Sequence, residues 1–390
     1  MEAGNFGGFN LMEPISTKKS RRERNMKKLS RRDRNMKKLS SVSNMTEVTE
    51  QKIWETFPED LLEHVLARLP IATIICFRSV CQQWNNLITS QSFSQHCVQV
   101  SQANPWFYTN SEDNYIAMYD PFVERWYYPK KFRIPIVPVS SAGGLVCFFG
   151  SFDRRLYVCN PLTQCLKELP ARSIKRRCHS GMTMNGIGGY KVLCLDYYSR
   201  EYEIYDSVTK YWGHLRKLPK SIMDPVYSFN WPVSIDDTLY FIHFGPDRGI
   251  VSYNMSTGVW TQHLIQAPLH SSYLALAESG GQIMLVGLVT ENDVTCVCIW
   301  EVQKVTFLLK EVDRRQFSEF QGRPVRLTCL GNKGLLLCYL RSPNMYHMVT
   351  YNVATRKWAK VCLPYGRKPH EENHVYMRGI AFQPCLTAMP

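Results

Sequence analysis

The sequence predicts an α+β multidomain chain, with a disordered basic arm at residues 1–50, a small three-helix module at 51–98 and an all-β region of six blades at 99–390. Three observations lead there. Lys and Arg crowd residues 18–38, and apolar residues recur at helical spacing only between 53 and 97. Beyond residue 118, a phrase built on an aromatic, an Asn or Asp and a tryptophan returns six times, four of them complete.

Composition sets the bounds. A chain of 390 residues has room for two to three domains, and an apolar fraction of 45% permits a real core. Tyr 21, Phe 18 and Trp 9 favour strands, because aromatic side chains fit a pleated, half-buried surface. The amino end lacks the apolar region of a signal peptide, and no stretch approaches the ~18 consecutive apolar residues of a membrane span. The expectation is a soluble protein of the nucleus or cytoplasm, with no membrane partner. The 14 cysteines are scattered with no C-x-x-C, and Cys296 and Cys298 alternate as strand neighbours, so reduced and mostly buried thiols are expected.

The formal charge is +14, of which residues 18–38 carry twelve Lys or Arg against Glu23 and Asp33. The rest of the chain is nearly balanced. The arm repeats itself, SRRERNMKKL at 20–29 and SRRDRNMKKL at 30–39. On a helix the pairs Met26/Leu29 and Met36/Leu39 would be rotated roughly 80° apart at about 100° per residue, so no continuous apolar stripe forms. Disorder follows from low hydrophobicity and dense like charge. Such a tail serves as an import signal or is simply solvated. No module that reads a specific nucleic acid is present.

At 53–97 the chain changes character. Pro58 followed by Glu59 and Asp60 marks a helix start, with acidic groups near the positive end of the helix dipole. Leu61, Leu62, Val65, Leu66 and Leu69 recur at helical spacing until Pro70 stops the run. A second helix places Ile74, Phe77, Val80, Cys81 and Trp84 on its apolar side, and a third carries Leu87, Ile88 and Phe93. Three short helices bury too little surface for comfortable independent stability, and no metal ligands are placed to help. The segment is either a cap packed on its neighbour domain or a docking module whose surplus apolar surface is completed by another protein.

"FPEDLLEHVLARLPIATIICFRSVCQQWNNLI" resembles an F-box, the module that binds the SKP-type adaptor of cullin-RING ubiquitin ligases. The positions that carry the resemblance are Phe57, Pro58, Asp60, Leu61, Leu62, Val65, Leu66, Leu69, Pro70, Phe77, Arg78, Val80, Cys81, Trp84, Leu87 and Ile88. It implies that Phe57, Pro58, Leu61, Leu62, Val65, Leu66, Leu69, Pro70, Phe77, Val80, Cys81 and Trp84 contact the adaptor. Gln82 departs from the pattern, which commonly has a basic residue there.

The repeats read YDPFVERW at 119, CNPLTQCL at 159, YDSVTKYW at 205, YNMSTGVW at 253, WEVQKVTF at 300 and YNVATRKW at 351, with intervals of 40, 46, 48, 47 and 51 residues. That is a blade period. Asp120, Asn160, Asp206, Asn254 and Asn352 stand at turn entries, where a short polar side chain bonds nearby backbone N–H groups. Trp126, Trp212, Trp260 and Trp358 are natural fillers between blades; Leu166 and Phe307 replace the tryptophan in two worn repeats. Earlier hairpin turns are expected at Gly143/Gly144, Gly188/Gly189, Asp236/Asp237, Gly280/Gly281 and Gly331/Gly334. The arrangement resembles a degenerate kelch β-propeller. From residue 51 onward the layout resembles the plant F-box/kelch-repeat proteins of the leaf-curling-responsiveness type, with NPWFYT, SAGGLVCFFG and VTYNVATRKW among the shared phrases.

Both turn sets of a blade lie on one face, so the stretches 129–139, 169–181, 217–230, 264–273, 311–325 and 364–375 share the opposite rim. The loops 151–155, 197–200, 245–249 and 341–345 join them. This rim is rich in arginine, including Arg154, Arg155, Arg172, Arg176, Arg177, Arg248, Arg314, Arg315, Arg323, Arg341 and Arg367. Charge on loops is usually only solvated. If the rim binds, Arg154, Arg155, Arg176, Arg177, Arg248, Arg314, Arg315 and Arg367 suit an acidic or phosphorylated client, because guanidinium forks match carboxylate and phosphate geometry.

His370-Glu-Glu-Asn-His374 fits the letter of the H-E-x-x-H zinc pattern. Pro369 and Gly379 leave room for only a short turn, and residues 375–390 offer no third ligand. It reads as a polar rim loop, with no metal, cofactor or catalytic residue expected. The resemblance implies a non-catalytic substrate receptor that bridges a protein client to the adaptor, and through it to cullin and a RING protein. The alternatives are a nuclear propeller scaffold outside any ligase and, from the enzyme class, a propeller hydrolase or oxidase. For the last, no S-x-D-x-G-x-x-W box or convincing histidine constellation is present.

Overall fold

The computed structural model describes residues 58–99, 105–110, 116–129, 136–176, 178–186, 188–196, 198–222, 231–243, 249–266, 270–292, 294–343, 345–364 and 378–390. The basic arm at 18–38, Phe57, Arg177, Arg248, Arg367 and the His370–His374 segment lie outside them. The described residues form two compact units, one helical and one all-β.

Among the described residues the helical unit holds four helices, α1 (Glu59–Leu66), α2 (Ile71–Phe77), α3 (Gln82–Ile88) and α4 (Gln91–Gln99). Pro58 and Pro70 occupy the residue before α1 and α2 in the same extended conformation, φ −55 and −54, so each proline ends one segment and launches the next. The periodicity predicts three helices. The second divides because the Ser79 hydroxyl bonds back to the Cys76 carbonyl at 2.6 Å and Cys81 is fully extended at φ −157, ψ 167. Phe77 and Trp84 still meet across the break, edge to face at 4.8 Å. Leu66, Ile71, Ile74, Leu87, Ile88 and Phe93 make the core, each at most 5% exposed.

The β unit is a ring of six antiparallel sheets. The first contains β1 (Trp106–Asn110), β2 (Ile116–Asp120) and β3 (Arg125–Tyr127); the second β4 (Ile136–Ala142), β5 (Leu145–Gly150), β6 (Leu156–Cys159) and β7 (Leu166–Glu168). The third contains β8 (His179–Met184), β9 (Tyr190–Asp196), β10 (Glu201–Asp206), β11 (Tyr211–Trp212) and β12 (Arg216–Lys217). The fourth runs β13 (Val233–Ile235), β14 (Thr238–His243), β15 (Gly249–Asn254) and β16 (Trp260–Leu264). The fifth runs β17 (Ser271–Ser279), β18 (Gln282–Glu291), β19 (Val294–Val302) and β20 (Leu309–Gln316), and the sixth β21 (Arg326–Asn332), β22 (Leu335–Ser342), β23 (Met345–Asn352) and β24 (Lys357–Lys360). The last strand, β25 (Arg378–Phe382), leaves the sixth sheet and becomes the innermost strand of the first by pairing with β1. The six inner strands β25, β4, β8, β13, β17 and β21 touch in succession and close the ring around an axis.

The repeated phrase performs the expected chemistry. Side-chain oxygens of Asp120, Asn160, Asp206, Asn254 and Asn352 accept from Phe122, Leu162, Val208, Ser256 and Thr355 backbone N–H groups at 2.8–3.0 Å. Four residues after each of these positions the chain turns left-handed, at Glu124, Gln164, Lys210, Gly258 and Arg356. The tryptophans span adjacent sheets: Trp126 donates to the Cys362 carbonyl at 2.8 Å, Trp212 to Pro170 at 2.9 Å and Trp358 to the Asp313 carboxylate at 2.9 Å.

Two assignments shift. In the fifth repeat the left-handed residue is Phe307, and it donates back to the Gln303 carbonyl. Gln303 therefore holds the Asn position and Leu309 the tryptophan position, which moves that repeat by two residues and equalises its flanking intervals. Trp300, aligned by sequence with the preceding aromatic, lies inside β19 at 3% exposure. In the sixth sheet the turn is Lys333-Gly334, with φ 49 and 76, and Gly331 is a strand glycine whose absent Cβ leaves room for Ala277 and Leu336.

Asn160 shows why the repeat has Asn in some copies and Asp in others. Its amide nitrogen donates to the Cys385 and Ala388 carbonyls at 2.8 and 2.9 Å, holding the C-terminal tail against the second sheet. Asn160→Asp keeps the turn acceptor but aims a carboxylate oxygen at two carbonyls in a fully buried place. We expect a loss of about 2–3 kcal/mol, read as a lowered thermal midpoint. The same charge swap in reverse, Asp206→Asn, keeps its turn and is expected to change little.

Candidate functional site

Two surfaces stand out, one on each unit. On the helical unit, α1 has two sides of opposite use. Glu63 and Leu66 face inward, whereas Leu61 and Val65, one turn apart, are 51% and 54% exposed. Val80 in the turn before α3 is 63% exposed; Pro58, Pro70 and Cys81 are also exposed, and Leu62, Leu69, Phe77 and Trp84 are half-buried. Leu61, Val65 and Val80 give this small unit an exposed apolar face. Leu66 differs from its expected role: at 2% exposure it is a core residue and supports the face from behind. The inner side is tied by Glu63, which accepts from the Ser90 and Ser92 hydroxyls at 3.0 and 2.7 Å and faces His96 at 3.4 Å.

On the β unit, strand pairing puts the connections β3–β4, β5–β6 and their counterparts on the rim opposite the Asx turns. Most of the predicted rim arginines described there are already engaged. Arg155 is ion-paired with Glu168, and Arg314 grips Glu311 with two hydrogen bonds of 3.0–3.1 Å and approaches Glu291 at 3.8 Å. Arg314 and Arg315 also do not stand on a loop, because β20 continues through Gln316; Arg315 lies over Phe317 and Trp358 at 5.2 and 5.5 Å. Arg172 turns inward over Phe149, donating to the Arg154 and Arg176 carbonyls; the neighbouring Cys178 thiol is held below its ordinary value by its hydrogen bond with Cys194 and then by the Arg172 charge, although burial opposes it. Arg154 and Arg176 are exposed.

Profiles of two families match the chain, the F-box domain over residues 54–96 and the F-box protein At3g26010-like β-propeller over residues 82–379. The chain belongs to the F-box β-propeller family. F-box only protein 6 of Arabidopsis thaliana is 43% identical over 405 residues, covering 98% of this chain and 83% of that protein. F-box/kelch-repeat protein At3g61590 of the same plant is 23% identical over 380 residues, 85% of this chain and 90% of that one. SKP1-interacting partner 15, also from Arabidopsis thaliana, is 30% identical over 164 residues, 35% of this chain and 43% of its own length. The exposed apolar side of α1 is thus the outer face of an F-box, and the six-sheet ring is its propeller.

The propeller also has a feature that sequence reading passed over. A cavity of about 640 Å³ lies on the axis, lined by the inner strands β4, β13, β17, β21 and β25. Arg326, Arg341 and Arg378 line it together with Tyr273, Tyr339 and Glu278. Arg341 falls in a predicted rim loop; Arg326 and Arg378 are first residues of strands, where a lone charge reads as a solvated position.

Proposed function

We propose that this F-box protein is the substrate-recognition subunit of an SKP-cullin-F-box ubiquitin ligase, of the leaf-curling-responsiveness type, acting in the nucleus or cytoplasm. The F-box docks an SKP-type adaptor, which connects it to cullin and a RING protein, and the propeller holds a protein client. No bond is made or broken by this chain. Its contribution is to raise the local concentration of client lysines near a ubiquitin-charged enzyme. The observation that supports the reading best is the exposed pair Leu61 and Val65 at F-box positions of α1. The name of the relative SKP1-interacting partner 15 points the same way.

The test is capture of an SKP-type adaptor by the full chain and by Leu61→Ala/Pro70→Ser. Wild-type capture that falls by about tenfold or more in the variant fits the loss of a central apolar anchor. Absence of capture by the wild type would instead favour the scaffold reading, a nuclear propeller outside any ligase.

A further inference from the structure

We infer that the rim-side mouth of the axial cavity is the client-binding site, and that it receives the carboxylate side chains of an acidic client segment. This rests on the receptor reading above and gives that receptor a ligand chemistry. The inner strands all run from the rim toward the Asx-turn face, so Arg326 and Arg378, the first residues of β21 and β25, lie at the rim end of adjacent sheets. Arg341 stands directly opposite Arg326 in the β21–β22 register and shares that end. Glu278 lies near the far end of β17, where its two oxygens accept from the Gly281 and Lys333 backbone N–H groups at 2.7 and 2.6 Å. Among the described lining residues, positive charge is therefore confined to the rim-side mouth.

A further detail favours a bound segment there. Tyr273, 45% exposed, lines the same cavity with φ +52, a conformation costly for an aromatic residue, and it lies in the irregular register between Ser272 and Ala275 of β17. A bulge of this kind re-aims a side chain and is typical of binding sites. The volume suits a few side chains of an extended peptide rather than a folded surface. Because the guanidinium groups come from two sheets, charges spread along a chain match them better than one compact dianion.

The experiment uses the full chain and a fluorescent twelve-residue glutamate-rich peptide, read by anisotropy, with adaptor capture measured in parallel. Arg326→Gln/Arg378→Gln is expected to weaken peptide binding about tenfold or more and to flatten its salt dependence. Lys304→Gln/Lys357→Gln, which removes the same charge from the Asx-turn face, is expected to leave affinity unchanged. Arg378→Glu is expected to gain affinity for a lysine-rich peptide of equal length, a result that a misfolded propeller does not give. Equal affinity in wild type and the Arg326/Arg378 variant, or an equal loss in the Lys304/Lys357 variant, overturns the site. Binding of a phosphoserine peptide alone overturns the choice of carboxylate. Peptide results leave adaptor capture untouched, so failure of the site and failure of the receptor reading are separately visible.

Discussion

Deleting residues 378–390 is expected to abolish the cooperative unfolding of the propeller, although it removes only one strand and a short tail. β25 is the inner strand of the first sheet, paired along its whole length with β1 from Trp106↔Phe382 to Asn110↔Arg378. Ile380, Ala381 and Phe382 are buried, and so are all five residues of β1, the strand beside them. Losing the two large side chains alone costs about 1.5–3 kcal/mol each, and the exposed β1 edge adds unpaired backbone groups. The Ala381 carbonyl that accepts from Ser141 and the tail carbonyls that accept from Asn160 go as well. Against a typical total of about 5–15 kcal/mol the ring cannot stay closed. The direct measurement is a circular dichroism melt with size-exclusion chromatography; a truncated monomer melting within about 2 °C of the intact chain would refute the account. The single substitution Gly379→Val probes the same joint, because a Cβ there falls 2.6 Å from the Tyr108 carbonyl oxygen and 2.7 Å from Leu330. Relief requires shifting β1 against β25, and the cost is about 3 kcal/mol or more.

That closure is the part of the fold least legible in the sequence. RGIAF carries no repeat phrase, and its partner WFYTN lies at the opposite end of the β region. The blade count was legible for the opposite reason: Asx turn, left-handed residue and tryptophan sit within one short phrase, so local chemistry leaves a local record. Where that record is worn, misalignment follows. Val302, Gln303 and Leu309 replace the aromatic, the Asn and the tryptophan, while Trp300 and Phe307 offer aromatic decoys two residues before the first and the last of these; Phe307 instead stacks on His263 at 3.7 Å. The docking face was legible because helical periodicity sorts Leu61 and Val65 from their neighbours, yet periodicity alone did not separate Leu66, which belongs to the core. Charge along the sequence marks the rim arginines but not their partners. Only the fold reveals Glu168 beside Arg155, Glu311 beside Arg314, and Arg326 facing Arg341.

Glu63→Ala is expected to remove adaptor capture at physiological temperature and to spare part of it in the cold, although Glu63 does not touch the docking face. Its carboxylate, on a residue 6% exposed, joins α1 to the start of α4 through Ser90, Ser92 and His96, and Ser90 also accepts from the Phe93 N–H at 3.0 Å. Truncation leaves two hydroxyls without that acceptor and opens a gap behind α1, at a cost of about 2–4 kcal/mol. A helical unit of this size has little more than that to lose. Leu61→Asp supplies the contrast: its side chain is half in solvent, so the unit keeps its melting behaviour and capture is lost at every temperature. Glu63→Gln retains one acceptor oxygen and should fall between wild type and Glu63→Ala. The decisive comparison is capture against temperature in the full chain. Parallel, temperature-independent losses for Glu63→Ala and Leu61→Asp would place Glu63 on the docking surface itself and remove the distinction between the inner and outer sides of α1.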